Sequence, residues 1–155
     1  MPVMSRSERA FCCGAVWRSS SAAVARELRA LRLGCDVLEI GAGSGSVAQQ
    51  LLSRNPELAL TAIDIDPHMT RATATRLHGF PNATAKTADA TAMPFPDDSF
   101  DSVVSCLMLH HIVDWERAVA EVARVLRPGG AFVGYDLVRT PLASLFTVWT
   151  ARRIG

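Results

Sequence analysis

Val37-Leu38-Glu39-Ile40-Gly41-Ala42-Gly43-Ser44-Gly45 is the stretch that decides the fold. Val37, Leu38 and Ile40 form a short apolar run, the pattern of a strand buried on both faces of a parallel sheet. Three alternating glycines follow and leave almost no side chain in the turn. Ser46 to Asn55 then places Val47, Ala48, Leu51 and Leu52 on one helical face. Strand, glycine turn and helix together build a nucleotide crevice at the carboxyl end of the first strand of a doubly wound sheet. A dinucleotide fingerprint would need its third glycine three residues after the second. That position is Ser46, and the third glycine comes one residue early, at Gly45. Glu39 lies inside the strand, where a carboxylate is costly unless paired. An acid beside this turn suits a ligand that carries a positive group.

Outward from this stretch, 155 residues suffice for one domain with one core. Hydrophobic residues make up 49% and charged residues 20%, so the chain is expected to fold as a globule. The net charge of +1 gives no electrostatic reason to bind nucleic acid or an acidic membrane surface. No apolar run reaches the length of a membrane span. The polar first ten residues lack the apolar core of a signal peptide, which makes a cytoplasmic location the default. Cys12, Cys13, Cys35 and Cys106 form no C-x-x-C pair. Free thiols are expected, and no metal site.

Residues 1 to 34 read as an N-terminal helical segment. An amphipathic helix is expected over Ala22–Leu31, with Ser19 to Ser21 as caps, Val24, Leu28 and Leu31 as its apolar stripe, and Gly34 as its end. Phe11 and Trp17 before it suit either a lid over a ligand or the filling of a surface groove. After Asn55-Pro56, Leu58 to Ile65 reads as a second strand. Asp66 is the expected cap and Pro67 the first residue of a helix reaching about Leu77. Asp64, at the tip of the second strand, is placed to accept hydrogen bonds from ribose hydroxyls. Ala83 to Ala88 is a weak third strand. Two prolines make Met93 to Asp101 an irregular connection. A fourth strand is predicted over Ser102 to Leu109, and Asp114 should cap a helix over Trp115 to Leu126. Arg127-Pro128-Gly129-Gly130 turns the chain into a fifth strand, Ala131 to Val138. Pro141 to Ile154 reads as the start of an apolar helix.

Four ordered stretches resemble the class I S-adenosylmethionine-dependent methyltransferases of the type 11 kind. They are E-x-G-x-G-x-G from Glu39, the acid at the tip of strand two, D-A-x-x-M-P-F-P-D-x-S-F-D from Asp89, and L-R-P-G-G before strand five. The resemblance covers roughly residues 37 to 136. It implies a Rossmann-like doubly wound α/β fold, a mostly parallel sheet in the order 3-2-1-4-5 with helices on both faces. Residues 35 to 155 would be the cofactor-binding domain and residues 1 to 34 a cap. The implied cofactor is S-adenosylmethionine, leaving as S-adenosylhomocysteine. Gly41, Ala42, Gly43 and Gly45 would bring the backbone against its methionine part, and Glu39 would hold the ammonium. Asp64 would take the ribose hydroxyls, and Ile65 and Met69 would pack on adenine. Asp89 and Ala90 would read the adenine edge, and the backbone near Ser105 and Cys106 would line the sulfonium side. His110 and His111 follow the fourth strand, where a small-molecule acceptor would sit, and either is placed to remove a proton.

These domains usually continue past strand five with a helix and an antiparallel hairpin. The chain is expected to stop before both, lacking strands six and seven, and to expose the edge of strand five to self-association. The competing readings are a module that binds the cofactor without turnover and, further off, a nicotinamide-dependent oxidoreductase.

Overall fold

A computed structural model describes residues 5–29, 33–139 and 144–153 of the chain. Two helices open it, α1 (Arg6–Cys13) and α2 (Ala15–Arg29). Strands and helices then alternate: β1 (Asp36–Ile40), α3 (Ser46–Arg54), β2 (Ala59–Asp64), α4 (Pro67–Leu77) and β3 (Ala83–Thr87). The remainder is β4 (Phe100–Cys106), a 3-10 turn at Leu109–His111, α5 (Trp115–Val125), β5 (Leu126–Arg139) and β6 (Ser144–Arg152). One sheet runs β3-β2-β1-β4-β5-β6. Its first five strands are mutually parallel, and β6 lies antiparallel to β5. The expected 3-2-1-4-5 order is the order found.

The alternation along β1 sorts the core into two layers. Val37 joins Trp17, Val24, Ala25 and Leu28 of α2 and Val47, Leu51 and Leu52 of α3 on one face. Leu38 and Ile40 join Val103 of β4, Phe132 of β5 and Ala118, Val122 and Val125 of α5 on the other. Both faces of β1 are therefore covered. The strand order reverses between β1 and β4, which puts the carboxyl end of β1 at a topological switch point. No helix among the described residues is long and apolar enough to cross a membrane.

Several local expectations are corrected. β5 begins at Leu126 and not at Ala131, so the expected turn Arg127–Gly130 lies within the strand, and β4 ends at Cys106, with Leu109 in the 3-10 turn. The helix expected from Ala22 begins at Ala15, because Trp17 is buried and extends the apolar stripe backwards through Ser21 to Val24 and Leu28. Ser20 and Ser21 lie inside this helix and donate to the carbonyls of Val16 and Arg18 instead of capping. Its expected end, Leu31, lies outside the described residues. Asp66 does cap α4, accepting the His68 amide at 2.9 Å, but Asp114 makes no side-chain capping bond to α5. The tail is not a helix. Residues 144–152 form β6, paired with β5 from Ala131↔Arg152 to Arg139↔Ser144. Phe146, Thr147, Val148, Trp149 and Thr150 are strand-forming residue types, and the edge of β5 offered a full row of backbone partners. The strand-five edge is thus covered by the chain's own antiparallel strand, and the expected self-association through that edge loses its basis.

Candidate functional site

The glycine turn is fixed by its neighbours. Ala42 donates to the carbonyl of Ile63 at 3.0 Å, and Gly45 to that of Ala42 at 2.8 Å. Gly41 has φ +66, and a Cβ there would stand 2.0 Å from Cγ of Met108. Gly43 has φ +56 but meets only Cys12, at 3.8 Å. Both angles favour glycine. At Gly41 the missing side chain admits Met108, and at Gly43, which is buried, it leaves room beneath Cys12.

Glu39 lies directly beneath this turn. It is 2% exposed, and its Oε2 is buried with no hydrogen-bond partner. Burial pushes its carboxyl from 4.5 up to about 8, the amide of Ala48 pulls it back, and the nearby charge of Asp64 adds to the rise. Asp64, at the end of β2, accepts the Gly43 amide at 2.8 Å and the Asp66 amide at 2.9 Å. Burial raises it as well, against the pull of those two amides and with some repulsion from Asp66. A carboxylate has about four acceptor positions, so Asp64 can hold the turn and still receive hydroxyls. Ile65 is half-buried and Met69 buried just beyond it.

The Ala88 amide donates to the Asp64 carbonyl, which brings Asp89 and Ala90 to the same end of the sheet. Asp89 Oδ1 accepts both the amide and the hydroxyl of Thr91 at 2.8 Å. Burial alone would raise this carboxyl, but the two bonds from Thr91 and the field of Arg117 hold it below the usual range. The connection after Ala90 is clasped to α5. Arg124 donates to the carbonyls of Phe95 at 2.7 Å and Met93 at 3.0 Å, while Glu121 accepts the Met93 amide at 2.7 Å. Sequence reasoning did not find this clasp, because its partners lie about thirty residues apart in the chain.

At the tip of β4, Ser105 and Cys106 are buried. Burial first, then the charges of Glu39 and Asp136, raise the Cys106 thiol well above its ordinary value. His110 and His111 follow on the 3-10 turn, their ring centroids 4.0 Å apart. Nδ1 of His110 lies 2.5 Å from Oδ1 of Asp136 in β5. Asp136 was not among the residues singled out in the sequence. Its one local signal is an acid in the otherwise apolar run A-F-V-G-Y-D.

The N-terminal helices reach the same end of the sheet. Ser44 donates to the Cys12 carbonyl at 2.5 Å, and Arg9 Nε donates to Asp66 at 2.8 Å. Trp17 fills the core, while Phe11, its ring centroid 6.0 Å away, is half exposed. The carboxyl end of the sheet thus gathers the glycine turn, a buried acid lacking one partner at Glu39, a second acid at Asp64, the Asp89–Ala90 pair, and a histidine in contact with an aspartate.

A family model described as "Methyltransferase domain" matches residues 38–134. The ubiquinone/menaquinone biosynthesis C-methyltransferase UbiE of Geobacter sulfurreducens is 34% identical over 114 residues, covering 71% of this chain and 44% of that protein. The demethylmenaquinone methyltransferase of Thermus thermophilus is 31% identical over 135 residues, covering 86% of this chain and 59% of that protein. Among solved structures, the YcgJ protein of Bacillus subtilis superposes with a TM-score of 0.67 at 32% identity, over 77% of this chain and 51% of the other. The chain spans about half the length of the curated relatives it matches.

Proposed function

This chain belongs to the class I S-adenosylmethionine-dependent methyltransferases, and on that premise we propose that it transfers a methyl group to a small-molecule acceptor. The observation that carries the reading is the buried Oε2 of Glu39, without a partner and beside the positive-φ glycine turn. It is what an ammonium needs, and it fits the amino acid end of S-adenosylmethionine. When bound, that cofactor supplies a methyl group made electrophilic by a sulfonium. The chain's own residues position it. Glu39 faces the ammonium, the backbone of Gly41, Ala42, Gly43 and Gly45 lies along the methionine part, and Asp64 accepts from the ribose. Ile65 and Met69 pack against adenine, whose edge meets Asp89 and Ala90, and the β4 tip at Ser105 and Cys106 borders the reacting end. Residues 1–34 act as a cap, for which the Cys12–Ser44 and Arg9–Asp66 bonds are the support. His110 and His111 border the acceptor. The quinone-biosynthesis names of the two curated relatives favour an acceptor with an apolar ring.

Calorimetric titration tests the first half of the reading. S-adenosylmethionine and S-adenosylhomocysteine should bind and a nicotinamide dinucleotide should not; the reverse would remove the proposal. Transfer of a labelled methyl group to reduced naphthoquinones tests the second half. Cofactor binding without transfer to any acceptor would favour the module that binds without turnover.

A further inference from the structure

We propose that Thr73 and Arg76 of α4 are positioning residues for the cofactor: they pin the carbonyls of Gly43 and Ser44 and so set the glycine turn for the amino acid end of S-adenosylmethionine. The inference rests on the methyltransferase reading of the site. Its own observations are two hydrogen bonds. The Thr73 hydroxyl donates to the Gly43 carbonyl at 2.9 Å, and Arg76 Nε donates to the Ser44 carbonyl at 2.6 Å.

Met69, Thr73 and Arg76 stand four and three residues apart, so they share one face of α4. The early third glycine is what admits this face. Gly45 has φ +72, and a Cβ there would stand 2.9 Å from Cγ2 of Thr73 and 3.2 Å from its Cα. The backbone of α4 thus lies against the turn, and a side chain at position 45 would push it off. Thr73 is buried, so the Gly43 carbonyl has no water to replace a lost hydroxyl. Arg76 is half-buried and reaches further. Its Nη1 donates to Oε1 of Gln49 at 3.2 Å, and the Gln49 amide donates to the Gly45 carbonyl at 3.0 Å. One guanidinium therefore joins the glycine turn to α3.

These bonds decide what the turn presents. A trans peptide points its carbonyl and its amide in opposite directions. With the carbonyls of Gly43 and Ser44 turned towards α4, the amides of Ser44 and Gly45 are turned away from it, and the Gly45 amide is taken by the Ala42 carbonyl. The amino acid end of the cofactor carries a carboxylate, which amides attract and carbonyl oxygens repel. A carbonyl free to swing round would set a second negative oxygen against it. The charge of Arg76 beside the same turn favours the carboxylate further. The ammonium of that end meets Glu39, and adenine meets Met69 on the face that carries Thr73 and Arg76. One rigid helix thereby sets the spacing between the two ends of the cofactor.

Two measurements on the full chain test this. The first is calorimetric titration with two probes. S-adenosylhomocysteine carries the amino acid end, whereas methylthioadenosine keeps the adenosine and the sulfur and lacks that end. Thr73→Val and Arg76→Gln should each weaken S-adenosylhomocysteine about 10-fold and leave methylthioadenosine within about twofold of the wild type. Thr73→Ser, which keeps the hydroxyl, should retain most of the affinity. An equal loss on both probes would mean that α4 merely supports the fold, and would overturn the proposal. Unchanged binding of S-adenosylhomocysteine in both variants would overturn it too. Where the buried Thr73→Val fails to fold, the half-buried Arg76→Gln decides alone. The second measurement is hydrogen exchange without ligand. The Gly45 amide should exchange faster in Arg76→Gln, while the amides in the middle of α4 hold their wild-type rates. A Gly45 amide as slow as in the wild type would show that the turn keeps its shape unaided and would overturn the proposal. A wild type that binds neither probe overturns the cofactor reading itself, whereas binding with equal losses strikes only Thr73 and Arg76.

Discussion

Glu39 is costly where it stands, and its cost has a direction in pH. Its carboxyl titrates near 8 in the folded chain against 4.5 ordinarily, so between those values the folded state holds a proton that the unfolded state has released. Its contribution to stability is fully present below 4.5 and is lost as pH rises to about 8. Glu121 and Asp101 run the other way at lower pH. The Arg124 bond chiefly holds Glu121 down. At Asp101 burial is outweighed by the Asp36 amide, Arg127 and the Cys35 amide. Glu39→Gln should therefore flatten the fall in melting temperature between pH 5 and 8 without changing the acid limb. Near pH 7, S-adenosylmethionine should drive a proton off Glu39 when its ammonium arrives. Calorimetry in buffers of different ionisation heat should show that release in the wild type and none in Glu39→Gln; buffer-independent heats in the wild type would sink the assignment. Asp64→Ala should weaken the cofactor by roughly 2–4 kcal/mol, since charge-assisted bonds are lost. It should also lower the melting temperature, because the amides of Gly43 and Asp66 lose their acceptor. Unchanged affinity in a folded variant would remove Asp64 from the ribose. Glu39 and Asp64 were legible in the sequence because each sits at a fixed offset from the glycine turn or the end of an apolar run. Asp136 was not legible as a partner. It meets His110 across 26 residues, and no local pattern records such a meeting.

Elements were legible where their signals are local. Strands β1 to β3 and helices α3 to α5 fall within about two residues of their apolar runs, prolines and caps, while β4 ends at Cys106, three residues before the expected Leu109. The elements read wrongly are the start of α2, the tail, and the start of β5, where Leu126 already pairs with Phe100 ahead of the expected turn. The start of α2 is set by Trp17 finding the core, and β6 exists because β5 offers an edge. The Arg124 clasp belongs to the same scale. It joins α5 to the connection that carries Asp89 and Ala90, using Phe95, Met93, Asp97 and Glu121 as acceptors. Arg124→Ala should leave α5 folded but release that connection. Faster hydrogen exchange at Met93 is expected, with a loss of cofactor affinity of about 1–2 kcal/mol. Arg124→Lys should restore little, because one ammonium cannot span acceptors that a planar guanidinium reaches together. Wild-type exchange at Met93 in the alanine variant would show that the connection is held by its own prolines instead.

At the scale of the whole molecule, the sheet is one continuous surface whose last parallel strand is protected by an antiparallel neighbour. The pairing does not end with the ladder. Gly129 donates to the Arg153 carbonyl and Arg153 to the Gly130 carbonyl, each at 3.0 Å. The Arg153 guanidinium reaches Asp98 and the Leu126 carbonyl. β6 is thus bound both along β5 and at the junction between α5 and β5, where the irregular Arg127–Gly130 tract breaks the register with β4. A chain ending at Arg139 would lose all of this. It would present the backbone of β5 from Ala131 onward as an open template, next to the buried Phe132 and Val133. The truncated chain should melt well below the full chain, and its mass in light scattering should rise with concentration. Over the same range the full chain should show no association that the truncation is needed to reveal. The comparison separates two accounts of β6. If it is an integral strand, both the melting temperature and the concentration dependence change together. If it merely rests on a sheet already complete at β5, the truncated chain stays monomeric and melts as high as the full one, and the pairing contributes nothing to the fold.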